Sequence, residues 1–182
     1  MSFQFACRTG ETYCDRMRMP FVAALSLGFI LTGSVCQARL GETMEQCIAR
    51  YGPPVPGQDT TVPPSMVGES IAAFKKDGYL ILVTFLHGIV GHEMILKKDS
   101  STPFSDTEKK MFLDSEAGGS TWNKLPKAYS TEEDEHYVRA DGDAYVDCSM
   151  GSWNTFVFES KVYRNAQQVK DDAAKKDPLH GF

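Results

Sequence analysis

His87, His92 and Glu93 are the cluster whose residue types suggest a ligand site or a general acid–base pair in this 182-residue chain. Their spacing works against both. His87-Gly88 reads as a hairpin turn, and residues two apart share a strand face whereas neighbours do not. His92 and Glu93 should therefore point to opposite faces. The His-Glu pair also lacks the second histidine four residues on that a zinc-protease helix needs. Asp141, Asp143 and Asp147, with the acids of 132–135, offer oxygen ligands for calcium, but no D-x-D-x-D-G loop holds them. Ser120 and Ser149 stand outside any G-x-S-x-G turn, and no glycine-rich phosphate loop occurs. The residues thus imply no catalytic group, no metal and no cofactor. An enzyme built on His92, Glu93 and the acidic loop, metal-dependent or hydrolytic, is the alternative reading.

Cysteine chemistry depends on compartment. Residues 20–35, PFVAALSLGFILTGSV, carry no charge and follow Arg16 and Arg18. The run is short for a bilayer span of roughly 20 residues, and it suits the apolar centre of an export leader. Small residues at 36 and 38 place cleavage after Ala38. The alternatives are an uncleaved 20–35 anchor or lipid attachment at Cys36, where Val35 fits the lipidation pattern poorly. Residues 1–38 are accordingly read as a leader with an extended N-terminal region, and the mature protein as periplasmic or secreted. Of five cysteines, Cys47 and Cys148 remain, and a pair in an exported chain suggests one disulfide.

The whole chain has 19 basic and 24 acidic side chains. The leader holds three of the bases and two of the acids, so residues 39–182 carry 16 against 22, a net charge of −6. No basic patch stands out, which argues against nucleic acid and against docking on anionic lipid.

The elements that must position any site follow from periodicity. Thr43 and Gln46 form a capping box, and Met44, Cys47, Ile48 and Tyr51 make one stripe of a helix that Gly52-Pro53 ends. Five prolines make 53–68 a loop. From 70 to 99 the turns Asp77-Gly78 and His87-Gly88 predict three antiparallel strands. Ser105 and Glu108 cap a second helix, and strands flanking Asp141-Gly142 and Met150-Gly151-Ser152 follow. Residues 162–182 are a polar helix or tail.

This order occurs twice. The capped helices start 62 residues apart, the Asp-Gly turns lie 64 apart, and Gly88 and Gly151 lie 63 apart. A fixed offset with repeated element order marks a tandem duplication. We therefore expect an α+β domain over 39–161, with repeats of about 40–99 and 103–161 forming one helix-backed antiparallel sheet.

Two stretches, LGETMEQCIARYGPP (40–54) and DGYLILVTFLHG (77–88), resemble the secreted β-lactamase inhibitory proteins and the related SmpA/OmlA domains of bacterial envelope lipoproteins. The likeness covers most of 40–160. It implies a helix-backed sheet whose open face or loops bind another protein. On this reading the chain is a non-catalytic protein of the cell envelope that binds a protein partner through its sheet face or hairpin tips. Trp153, a large aromatic in a turn, and Ile89, just past the other turn, are the expected contacts, with Tyr145 and Phe156 between them.

Overall fold

The computed structural model describes residues 39–99, 102–126, 134–149 and 154–176. The leader run and Cys36, the acids at 132 and 133, and the 150–153 turn with Trp153 lie outside the described residues.

Helix α1 (Met44–Tyr51) has the capping box expected of Thr43 and Gln46, and Gly52 donates its N–H back to the Ile48 carbonyl. Strands β1 (Ser70–Lys76), β2 (Tyr79–Leu86) and β3 (Ile89–Lys97) follow. Their turns put Asp77 and Gly78, and His87 and Gly88, at positive φ. That is the primed two-residue hairpin whose twist matches the strands. Helix α2 (Asp106–Glu116) starts at a second capping box, Ser105 with Glu108. Then come β4 (Trp122–Lys124), β5 (Asp134–Arg139), β6 (Ala144–Ser149), β7 (Thr155–Ser160) and α3 (Lys161–Lys176).

The seven strands form one open antiparallel sheet in the order β1-β2-β3-β7-β6-β5-β4. This is an α+β fold, with the C-terminal helix packed on the sheet. The run β1-β2-β3 meets the run β7-β6-β5-β4 where β3 pairs with β7, from His92–Glu159 to Leu96–Thr155.

Alternation sorts the strands into two faces. On the first, Phe74, Ile81, Ile95 and Phe156 form one cross-strand row beneath α1 and α2. Phe104, Phe112 and Phe156 pack mutually, with ring centroids 5.4–5.5 Å apart. Trp122 closes the far end, its indole donating to the Leu113 carbonyl and its ring edge-on to Phe158. This face is the core. Phe156 is fully buried in it, so its expected place on a partner-facing surface is corrected: pairing with Ile95 and Cys148 turns it toward the helices.

The expected disulfide is also absent. Cys47 and Cys148 are separate buried thiols. Cys47 sits near Glu42, Glu93 and Arg50 over the β3 half, whereas Cys148 sits near Lys109 and Glu135 under α2. Helix α1, which carries Cys47, rests against β1, and β6, which carries Cys148, is four strands away in sheet order. Burial pushes each thiol up to about 12, which keeps both protonated and unreactive.

The edge strand β1 is sheltered by the proline-rich loop, through Val55 N–H to the Ala73 carbonyl and Ile71 N–H to the Thr60 carbonyl. The loop returns to the sheet at Gly68, where φ is +138° and an added Cβ would lie 2.5 Å from Thr84 Cγ2. Gly68→Ala is therefore expected to cost about 1–3 kcal/mol in chemical unfolding, from strain and overpacking together.

Candidate functional site

The second sheet face is only partly roofed. Helix α3 crosses the end that holds His92: the Tyr163 ring lies 5.1 Å from the His92 ring, and Gln167 and Lys170 bond the backbone of 65–67. The opposite end has no described helix over it. There Leu82, Met94 and Val157 are direct cross-strand neighbours, and Leu80 and Leu96 form the adjacent row. All five are half-buried. In β2 these are the even-numbered residues of an almost wholly apolar strand, so burial of the odd set in the core forces the even set onto this face.

A cavity of about 530 Å³ opens at the margin of the patch, with Leu80 and Leu96 among its apolar residues and Lys75, Lys76, Lys97 and Lys98 around it. Lys97 is held by Glu108 at 2.9 Å. Among the described residues, Lys75, Lys76 and Lys98 have no ion-pair partner. The patch is therefore apolar with a basic margin on a chain of net negative charge.

Of the expected contact residues, Ile89 is 43% exposed past the β2–β3 turn. Tyr145 is half-buried on the second face, with the Arg164 guanidinium 4.3 Å above its ring. Ile89 and Tyr145 both lie at the α3 end, away from Leu80 and Leu96. The aliphatic patch was not singled out from sequence. Its signal was present in β2, where both alternating sets are apolar.

His92 and Glu93 do lie on opposite faces. His92 is sealed beneath Tyr163, and burial lowers its pKa to about 4, leaving the ring neutral. His87 is in the exposed turn, 3.6 Å from Glu69. Each acid of the Asp141 region has its own cation, Arg139 for Asp141, Lys161 for Asp143 and Arg164 for Asp147, and the His136 ring also contacts Asp147. Among the described residues no group of three or more His, Cys, Asp or Glu side chains is arranged to hold a metal ion.

A second pocket, of about 450 Å³, lies between α2 and the β4–β5 edge. Glu135 takes hydrogen bonds there from Lys124 at 2.6 Å, Tyr137 at 2.8 Å and Lys109 at 3.2 Å. Burial pushes its pKa up, but those three donors outweigh it and hold the carboxylate at about 2. The network satisfies itself and holds Glu135 ionised.

Glu93 and Glu116 form the most perturbed cluster. Glu93 is fully buried and accepts from the Tyr51 hydroxyl at 3.1 Å. Glu116, 2% exposed, accepts the Leu40 N–H at 3.0 Å. One oxygen of each, Glu93 Oε2 and Glu116 Oε1, is buried without a hydrogen-bond partner among the described residues. Burial, reinforced by Glu116, raises Glu93 well above the carboxylate range. Burial, reinforced by Glu42, raises Glu116 to about 8. Residues 41–42 pair with Val90 in both directions at 2.8 Å, and Glu42 engages Arg50, so the N-terminal strap covers the acids. Glu116 escaped notice because Lys109, Phe112 and Glu116 form the buried stripe of α2, and charges at those positions read as a solvent face.

Among the described residues no helix is long and apolar enough to cross a membrane. The chain matches no protein-family model, no curated protein and no solved structure.

Proposed function

We propose that this chain is an exported, non-catalytic interaction domain of the cell envelope, and that the open half-face of its sheet binds a protein partner. One observation carries the reading: Leu80, Leu82, Met94, Leu96 and Val157 are contiguous across three strands and lie beyond the reach of α3. Contiguous apolar surface with a polar margin is characteristic of a contact site. Lys75, Lys76 and Lys98 add the complement to an acidic rim, so the partner suited to it presents apolar side chains flanked by carboxylates. The two halves are further read as a tandem duplication, supported by the constant offset and by the meeting of the runs β1-β2-β3 and β5-β6-β7 at the β3–β7 pair. The binding role is the one implied by the resemblance to β-lactamase inhibitory and SmpA/OmlA domains. An enzyme using His92 and Glu93 would need both at one accessible point, and no observation favours it.

A photo-crosslinking side chain in place of Met94, in cells exporting the protein, should give one dominant protein adduct. The same group at Val169, 71% exposed on α3, should not. Adding Leu82→Glu should remove the Met94 adduct while changing stability by no more than about 1 kcal/mol. Higher salt should weaken the adduct. Equal labelling from both positions, or an adduct that survives Leu82→Glu, would sink the proposal.

A further inference from the structure

The buried acids are covered by residues 39–42, the stretch where the expected leader ends. The Arg39 backbone nitrogen lies 3.3 Å from Glu42 Oε2, and the next nitrogen, of Leu40, lies 3.0 Å from Glu116 Oε2. Glu42 of the strap thus lies in one electrostatic group with Glu93 and Glu116. The cations acting on them are the Arg50 side chain, paired with Glu42, and the exposed Arg39 side chain. From the sheet side, Arg139 Nη1 reaches only the Glu116 backbone carbonyl, at 3.5 Å. The cluster is more than a group of acids, because Glu93 Oε2 and Glu116 Oε1 are both sealed from water and unpartnered among the described residues.

We propose that leader removal after Ala38 completes this site: the α-ammonium created on Arg39 is the cation that Glu42, beside the two protonated acids, is placed to hold. A leader peptidase adds water across the Ala38–Arg39 amide. Ala38 leaves with the new carboxylate, and Arg39 keeps the amine, which takes up a proton at neutral pH. One peptide N–H facing Glu42 becomes a charged group with three N–H donors. The ammonium sets a full positive charge opposite the Glu42 carboxylate, where the peptide N–H offers only a dipole. The uncleaved chain lacks that charge and has a peptide chain leading away from the same nitrogen. Cleavage therefore strengthens the strap that closes over the acids, and the processed chain folds more stably than its precursor.

The sign of the pH effect follows. The Glu42 carboxylate raises the ammonium's pKa above the about 7.7–8.0 of a free terminus. Its contribution is fully present below that range and lost as pH rises through the raised value.

Every described element lies within 39–176, so the test uses residues 39–182 in three forms: free Arg39 amine, Nα-acetylated Arg39, and the chain extended by Gln37-Ala38. At pH 6.5 and low salt the free-amine form should melt about 4 °C above the other two. The gap should close by pH 10 and should close at pH 6.5 in Glu42→Gln. If Glu42→Gln does not fold, the free and acetylated chains decide alone, since they share every side chain. Equal melting of those two at pH 6.5, or a gap unchanged at pH 10, would overturn the proposal. So would an exported protein whose N-terminal read begins elsewhere than Arg39. None of these outcomes depends on the open sheet face.

Discussion

Phe156→Ala should cost about 3–5 kcal/mol in chemical unfolding, the range for emptying a fully buried aromatic position. Phe156 sits at the meeting point of the two strand runs. It pairs with Ile95 across β3 and with Cys148 across β6, and its ring touches Phe104, Phe112 and Phe158 at centroid separations of 5.4–5.5 Å. Removing it empties the contact between α2 and the sheet centre. Phe156→Leu, which keeps most of the volume, should cost less than half as much. A Phe156→Ala chain that kept its unfolding midpoint would show that α2 does not rest on this row.

Glu93→Gln should stabilise the protein at pH 8 and leave it nearly unchanged at pH 5. Glu93 and Glu116 hold their protons in the folded state where the unfolded chain has already lost them. Stability is then fully present below the ordinary value of 4.5 and is lost as pH rises through the raised values, about 8 for Glu116. The loss is on the order of a few kcal/mol, since each pKa unit corresponds to about 1.4 kcal/mol. Glutamine has nearly the shape of a protonated glutamate, keeps an acceptor for the Tyr51 hydroxyl and cannot ionise. The variant should therefore show a flatter profile of unfolding free energy between pH 5 and pH 8. An equal loss at both pH values would mean that the folded protein needs an ionised Glu93. Tyr51→Phe, which removes the donor that bonds Glu93 at 3.1 Å, should instead lower stability at both.

The two sets of residues behind these predictions differ in how far they could be read in advance. The capped starts of α1 and α2, the Asp77-Gly78 and His87-Gly88 turns, the three strands between 70 and 97 and the polar C-terminal helix are all legible along the chain. Each rests on groups a few residues apart: a hydroxyl reaching an N–H three positions on, or a pair of residues that tolerates positive φ. The opposite facing of His92 and Glu93 is legible for the same reason, because alternation along a strand is local.

What stayed hidden depends on which strands become neighbours. Phe156 was assigned to a surface because a strand with apolar residues at alternate positions does not say which set faces the helices. That was decided by the pairing of β7 with β3 and of β6 with β7. The Cys47–Cys148 bridge suggests itself from cysteine count and compartment, but the fold holds the two as separate buried thiols, one on the helix against β1 and the other on β6. The buried carboxyl pair joins β3 to α2 across 23 residues of chain, under the strap of residues 39–42. A charged side chain on a helix is normally solvated, and only the closing of the strap over α2 takes the water from Glu116. The open half-face has a similar cause: both faces of β2 are apolar, the core accepts one, and α3 is attached where it can roof only the His92 end of the other. Local chemistry therefore specified the elements and their ends. Burial, and with it every perturbed group and the exposed apolar patch, was set by the order in which seven strands pair and by where three helices rest on them.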